Sequence, residues 1–314
     1  MTAVPFDPEL AAALAVISQN MPSSLTPEMI PLLRQGMAGF TPSEDLTLDG
    51  IVDLTDVDLG DGVSVVVCRP VAAPTPAPAV YWIHGGGMIM GDHRVGLADP
   101  LAWAVELGLV VVSVDYRLAP EHPDPAPVED CYRGLVWLAE NAADLGIDPA
   151  RIVIAGGSAG GGLAAGTALL ARDRGGPALL GQMLIYPMLD ERNDTVSSHQ
   201  MSGLGVWDHT SNDTGWSALL GDRRGGPDVS IYASPSRATD LSGLPPAFVD
   251  VGSAETFRDE DVAYATAIWQ SGGQAELHVW PGGFHGFDVM VPQAALSQRA
   301  KHARLDWLRR LLGH

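Results

Sequence analysis

Lysine occurs once in this chain, at Lys301, and cysteine twice, at Cys68 and Cys131. Lys and Arg together number 18 against 38 Asp and Glu, a formal net charge of -20. Specific nucleic-acid binding draws most of its affinity from cations that neutralise phosphates, so neither nucleic acid nor an anionic membrane surface suits this composition. The charge itself is that of a well-solvated surface. Two cysteines are too few for a disulfide framework, and neither has a second Cys or a His at metal-ligand spacing. Both read as buried thiols. No stretch reaches the roughly 18 apolar residues that cross a bilayer, and Met1 to Glu9 has neither the basic start nor the apolar run of a secretory leader. The expected location is therefore cytoplasmic. Hydrophobic residues are plentiful, 46% against 18% charged, which excludes disorder for most of the length. The 314 residues allow one large α/β domain with an elaboration, or two ordinary domains.

The hydrophobic period changes along the chain. Leu10, Leu14 and Ile17 lie on one helical face after Pro8 and Glu9, and a second helix is predicted from Pro27 to Met37 with Thr26 as N-cap. From Ile51 the period becomes two, through Leu59 and again over Val63 to Cys68, as in an antiparallel pair of strands. The Pro and Ala run from Val71 to Pro78 reads as a linker. Short apolar runs then alternate with helical segments: Val80 to Ile83, Leu109 to Val114, Ile152 to Ala155, Met183 to Tyr186, Ala247 to Val251 and Ala275 to Trp280. Strands buried on both faces of a parallel sheet have this appearance. Residues 190–236 are polar and Gly-rich, and read as an insertion.

Three motifs carry chemistry. Gly156-Gly157-Ser158-Ala159-Gly160 follows a strand and opens a small-residue helix, the context of a nucleophile elbow. Such a turn is strained, and its flanks must be nearly free of side chains. His84-Gly85-Gly86-Gly87 closes the strand Val80 to Ile83. The backbone N–H groups of Gly86 and Gly87, with that of Ala159, are candidates to receive the charge of a tetrahedral intermediate, and His84 is expected to pin the loop. His285 follows the last predicted strand, in the Ser, acid, His order of an α/β hydrolase. The acid must fall just beyond Ala247 to Val251. Glu255 is the best placed, Asp259 is the runner-up, and Asp250 lies inside the strand.

These residues resemble the hormone-sensitive-lipase family of α/β hydrolases, the family IV bacterial carboxylesterases. The resemblance rests on the oxyanion motif, on Asp115-Tyr116-Arg117-Leu118-Ala119-Pro120-Glu121-His122-Pro123, on the elbow with Gly161 and Gly162, on Arg258-Asp259-Glu260 and on His285-Gly286-Phe287. Two departures stand out. The usual Asp-Pro-Leu at the acid becomes Glu255-Thr256-Phe257, and the elbow residue before the serine, commonly Asp or Thr, is Gly157. Arg117 and Glu121 are expected to brace the sheet.

The resemblance implies an α/β-hydrolase fold with a mostly parallel eight-stranded sheet over residues 46–189 and 237–314, and a helical cap built from residues 1–45 and 190–236. It implies a serine carboxylesterase acting on small-molecule esters of short to medium acyl chain through Ser158, His285 and Glu255, without metal or organic cofactor. Met88, Met90, Met201, Leu204 and Trp207 are candidates to line an apolar pocket, with core filling as the alternative. A homodimer is left open. A lactonase or amidase would use the same residues, whereas a ligand-binding pseudoenzyme of the gibberellin-receptor kind would lack His285.

Overall fold

The computed structural model describes residues 2–39 and 45–314; residues 40–44, within the segment 1–45 assigned to the cap, lie outside this description. Eight strands form a single sheet in the order β1-β2-β4-β3-β5-β6-β7-β8. They are β1 (Val52–Gly60), β2 (Val63–Pro70), β3 (Ala77–Ile83), β4 (Val110–Asp115), β5 (Ile147–Gly157), β6 (Gly181–Ile185), β7 (Ala247–Gly252) and β8 (Ala275–Trp280). The pairings β1–β2 and β2–β4 are antiparallel and the rest are parallel. The sequence periodicity anticipated this change of direction.

Pro78 belongs to β3 rather than to the linker. Proline has no N–H for a ladder, and it sits where the register against β5 shifts, between Ala77 and Ala79. The irregularity in the ladder falls at the residue that cannot donate to it.

Side chains alternate between two hydrophobic layers. Val65, Tyr81, Ile83, Val112, Ile154, Leu184 and Val249 face one layer. It is closed by α4 (Ala126–Glu140), α5 (Ala159–Arg174) and α8 (Arg258–Gln270). Val66, Val80, Trp82, Val111, Val153, Met183 and Phe248 face the other. That layer is closed by α3 (Ala98–Leu107) and α10 (Ala295–Leu312). Each fully buried side chain of this size stabilises the fold by roughly 1.5–3 kcal/mol, and the layers fix the strand ends on which the site is built.

Among the described residues four shorter or peripheral helices remain: α1 (Pro8–Ile17), α2 (Ile30–Gly39), α6 (Val196–Gln200) and α7 (His209–Leu220), with α9 (Phe287–Met290) as a single turn before α10. Asp7 caps α1, its Oδ1 accepting from the N–H groups of Glu9 and Leu10. The helix expected from Pro27 starts instead as a 3-10 turn, Pro27–Met29, and becomes α-helical at Ile30. Pro31 cannot donate to the Pro27 carbonyl, so the first turn closes through the Ile30 N–H. Thr26 is extended at that end, but its side chain makes no capping bond.

The N-terminal segment is tied to the insertion. Ser24 donates to Asp208, the Leu25 N–H to Ser211, and Thr214 to the Leu25 carbonyl. Arg117 pairs with Asp130 and so joins the end of β4 to α4. Glu121 does not brace the sheet as expected; it is exposed and pairs with Arg34 on α2. Among the described residues no helix is long and apolar enough to cross a membrane.

Candidate active site

Ser158 stands between β5 and α5 with φ 59 and ψ -125, a conformation that is costly for any residue with a Cβ. The surroundings hold it there: its N–H donates to the Ile185 carbonyl, and its carbonyl accepts from Gly162 and Met188. The flanking glycines differ in how far they are required. A Cβ on Gly156 would lie 2.3 Å from the Gly160 carbonyl oxygen, and one on Gly160 would lie 2.0 Å from that of Ile83. At Gly157 the nearest atom would be Tyr186 Cε2 at 3.5 Å, an ordinary contact. A side chain is therefore excluded at Gly156 and Gly160 but not at Gly157.

His285 follows β8 on the loop that leads into α9. Its Nε2 lies 2.9 Å from Ser158 Oγ and its Nδ1 lies 3.0 Å from Glu255 Oε1. The second oxygen of Glu255 accepts from the Gly252 N–H at 3.1 Å. A carboxylate at Nδ1 selects the tautomer that carries its proton there, leaving Nε2 as acceptor for the serine hydroxyl. Ser158 and His285 are each 9% exposed and Glu255 is 1% exposed, so the chain of bonds is shielded while the serine stays reachable. Asp259 is engaged elsewhere, its carboxylate accepting from the Ser197 N–H and pairing with Arg258. Burial pushes that carboxyl upward, but Arg258 and Ser197 more than offset it and hold it below its ordinary range.

The 84–87 loop lies beside the serine. Gly86 and Gly87 take φ values of 107 and 62, which glycine alone adopts readily. Among the described residues the N–H groups of Gly86, Gly87 and Ala159 donate to no protein acceptor. His84 is buried, stacks on Tyr116 at 4.2 Å and bonds through Nδ1 to the Gly85 carbonyl at 2.7 Å. Burial lowers its pKa to about 4, so the ring is neutral and Nδ1 donates.

The pocket candidates separate. Trp207 reaches the site: its ring lies 6.4 Å from the His285 ring and directly against Gly87, where a Cβ would meet indole Cη2 at 2.3 Å. Its carbonyl accepts from Thr256, the neighbour of Glu255. Met88 is fully buried in the core layer that also holds Ile89, with Met90 partly buried against it, and Met201 is buried as well. Leu204 opens on a cleft of about 460 Å³ lined also by Phe6, Leu14 and Met21. Tyr186 and Phe257 were not anticipated. Both set their rings edge-on to His285, at 4.9 and 5.0 Å. Their only signal in the sequence is an aromatic residue just after a strand and just after the acid. Among the described residues no group of three His, Cys, Asp or Glu side chains is placed to hold a metal ion.

A family profile described as alpha/beta hydrolase fold matches residues 80–289. The chain is 38% identical over 280 residues to Carboxylesterase NlhH of Mycobacterium tuberculosis, covering 86% of this chain and 81% of that protein. Among solved structures, Bacterial Heroin Esterase superposes with a TM-score of 0.89 at 38% identity, covering 98% of each chain. Esterase LipW from Mycobacterium marinum superposes with a TM-score of 0.88 at 34% identity, covering 99% of this chain and 98% of the other.

Proposed function

The chain belongs to the hormone-sensitive-lipase family of the α/β-hydrolase fold and is a carboxylic ester hydrolase, and from that premise we propose that it works through a Ser158-His285-Glu255 triad and an acyl-enzyme. The observation that carries this reading is the unbroken hydrogen-bonded chain from Ser158 Oγ through the imidazole to Glu255 Oε1, at 2.9 and 3.0 Å.

In the proposed sequence, His285 Nε2 takes the Ser158 proton as Oγ bonds to the ester carbonyl carbon. Glu255 keeps the Nδ1 proton in place and stabilises the imidazolium. The carbonyl oxygen becomes an oxyanion facing the N–H groups of Gly86, Gly87 and Ala159, each such donor typically contributing about 2.7–4 kcal/mol. When the intermediate collapses, the C–O bond to the alcohol breaks and the alcohol leaves with the proton from His285. Water then gives a proton to the same nitrogen, attacks the acyl carbon and releases the acid, returning the proton to Ser158. Every proton passes through His285 Nε2, between Ser158, the leaving alcohol and the attacking water.

The N-terminal helices and residues 190–236 would form a cap over this site, a reading supported by the bonds that join Ser24 and Leu25 to α7 and its N-terminus. Trp207 would be its wall at the reacting centre. Each added methylene gains about 0.8 kcal/mol only while it stays buried. With a pocket of ordinary small-ligand volume, roughly 300–1,000 Å³, acyl chains of roughly two to eight carbons should be preferred.

The test is Ser158→Ala, expected to lower ester turnover by about 10⁶-fold with the fold intact, together with mass-spectrometric mapping of organophosphonate labelling. Stoichiometric labelling of another residue, with Ser158 unmodified, would overturn the assignment. Nitrophenyl esters of increasing chain length, beside an amide and a lactone, would fix the substrate class. Sharp activation on emulsified long-chain esters would replace the esterase reading with that of a lipase.

A further inference from the structure

Behind His285 lies a buried charged cluster that the triad does not use. Arg304, on α10, is 1% exposed, although the other buried side chains of that helix, Leu296, Ser297, Ala300, Trp307 and Leu308, are uncharged. Its guanidinium donates to Asp250 Oδ2 at 2.9 Å and pairs with Asp288, and both carboxylates are fully buried. Asp250 Oδ2 also accepts from Trp280 Nε1 at 2.9 Å. The Asp250 carbonyl accepts from the Tyr186 N–H at 2.7 Å. The Arg304 Cζ sits 5.6 Å from the centroid of the Tyr186 ring, and that ring meets the His285 imidazole at 4.9 Å and 69°.

The positions of these groups in the chain matter more than their number. Asp250 is on β7, the strand that leads into the Glu255 loop, and Trp280 ends β8, the strand that leads into the His285 loop. Asp288 comes three residues after His285, in the first turn of α9. Tyr186 is held at φ 35, a conformation that non-glycine residues seldom adopt. One side chain thus joins the two segments that carry the acid and the base to the aromatic ring packed against the base.

Resting on the triad reading, we infer that Arg304, Asp288 and Tyr186 are positioning residues, a clamp from α10 that holds the His285 loop in register with Glu255 and Ser158. Stability alone is a poor reason for such a cluster, because buried ion networks can often be replaced by neutral groups of similar volume without loss. Register is a better one, since a misplacement of about 1 Å in a catalytic group can cost 10²-fold in rate. The charge distribution agrees. Burial raises both carboxyls; Arg304, with Tyr186, more than offsets it at Asp288, whereas Asp250, buried and beside the Asp288 charge, stays above its ordinary range despite Arg304 and Trp280. The guanidinium thus serves carboxylates from both segments, Asp250 on the acid's strand and Asp288 on the histidine loop.

The experiment compares full-length Asp288→Asn, Tyr186→Phe, Arg304→Lys and the neutral triple variant Asp250→Asn/Asp288→Asn/Arg304→Met with the parent. The readouts are kcat and KM on a soluble nitrophenyl ester, thermal melting and phosphonate labelling of Ser158. Asp288→Asn keeps the shape and the Arg304–Asp250 pair, and is expected to fold, to lower kcat about 10- to 100-fold and to leave KM within about 2-fold. Arg304→Lys should lose a similar factor, because one ammonium cannot bridge both carboxylates. Tyr186→Phe, which keeps the ring, should retain most of the rate. The triple variant should melt close to the parent yet remain slow. Folded Asp288→Asn with parental kcat, or with its loss confined to KM, overturns the clamp, and Asp288→Asn alone decides if the triple variant does not fold. Failure of Ser158 to label in the parent would instead overturn the triad reading, so the two failures are distinguishable.

Discussion

Replacing Glu255 with Gln changes one oxygen to an NH2 group, and the structure leaves that group no harmless orientation. The carboxylate spends one oxygen on His285 Nδ1 and the other on the Gly252 N–H, at 3.0 and 3.1 Å, in a site 1% exposed. If the amide oxygen faces Gly252, the NH2 faces Nδ1 and drives the imidazole into the tautomer that carries its proton on Nε2. That nitrogen can no longer accept from Ser158. If the amide is flipped, the tautomer is right but two donors face each other at Gly252, at a cost of about 1–3 kcal/mol for a buried unsatisfied group, and the imidazolium has lost its charge partner. The first arrangement is the cheaper for the resting enzyme and the more damaging to catalysis. In a serine protease of this logic, neutralising the acid costs about 10⁴-fold. The expected loss in kcat here is about 10³- to 10⁴-fold, equivalent to about 4–5.5 kcal/mol of transition-state stabilisation. The assay is steady-state turnover of a soluble nitrophenyl ester at pH 7 to 8, with thermal melting to show that the variant is folded. Asp259→Asn is the control, because its carboxylate serves Ser197 and Arg258, and it should stay within about 3-fold. A folded Glu255→Gln enzyme within 10-fold of the parent, or a larger loss for Asp259→Asn, would refute the reasoning.

Gly87→Ala puts a methyl 2.3 Å from the Trp207 ring at a φ of 62, so kcat should fall by about 10²- to 10³-fold as the oxyanion donor shifts; full activity in the single variant would contradict the assigned loop geometry. Gly157→Ala has 3.5 Å of clearance to Tyr186 and should stabilise the fold by about 0.4–1 kcal/mol, with kcat within about 3-fold; a lower melting temperature would count against this. His84 has a folded pKa of about 4 against an unfolded value of about 6.5, so the unfolded chain binds the proton more readily. The resulting stability is fully present above the unfolded value and is lost as pH falls from about 6.5 to about 4, by at most about 3 kcal/mol. Melting of the parent and of His84→Asn across that window should diverge, and equal losses in both would remove His84 from the account.

Much of this was legible in the sequence because strands buried on both faces leave short apolar runs, and because a strained elbow demands glycine at fixed positions. The order of β5, Ser158 and α5, and the placing of His285 after β8, follow from those two signals. Glu255 was separable from Asp259 by its shorter distance past the strand, by the helix start at Asp259 and by its place in the family motif, and its Oε1 lies 3.0 Å from His285 Nδ1. What escaped notice depends on long-range partners. Arg304 lies in a helix dense with Arg, Lys and His and reads locally as solvated, yet two carboxylates from distant segments bury it. Glu121 belongs to a motif beside the sheet, yet its partner Arg34 comes from the N-terminal segment. Pro78 looks like a strand breaker until the register shift opposite it is known.

Thr256 donates to the Trp207 carbonyl, and Ser197 donates both to the Thr256 carbonyl and, through its backbone, to Asp259. Residues 190–236 are therefore bolted to the very loop that carries Glu255. Displacing that segment as a whole would pull on the acid's loop through these three bonds. The same bolts limit modular engineering. Transplanting this insertion from a relative, in pursuit of a new substrate range, would carry the donor's fit into the host only if residues 255–259 travelled with it.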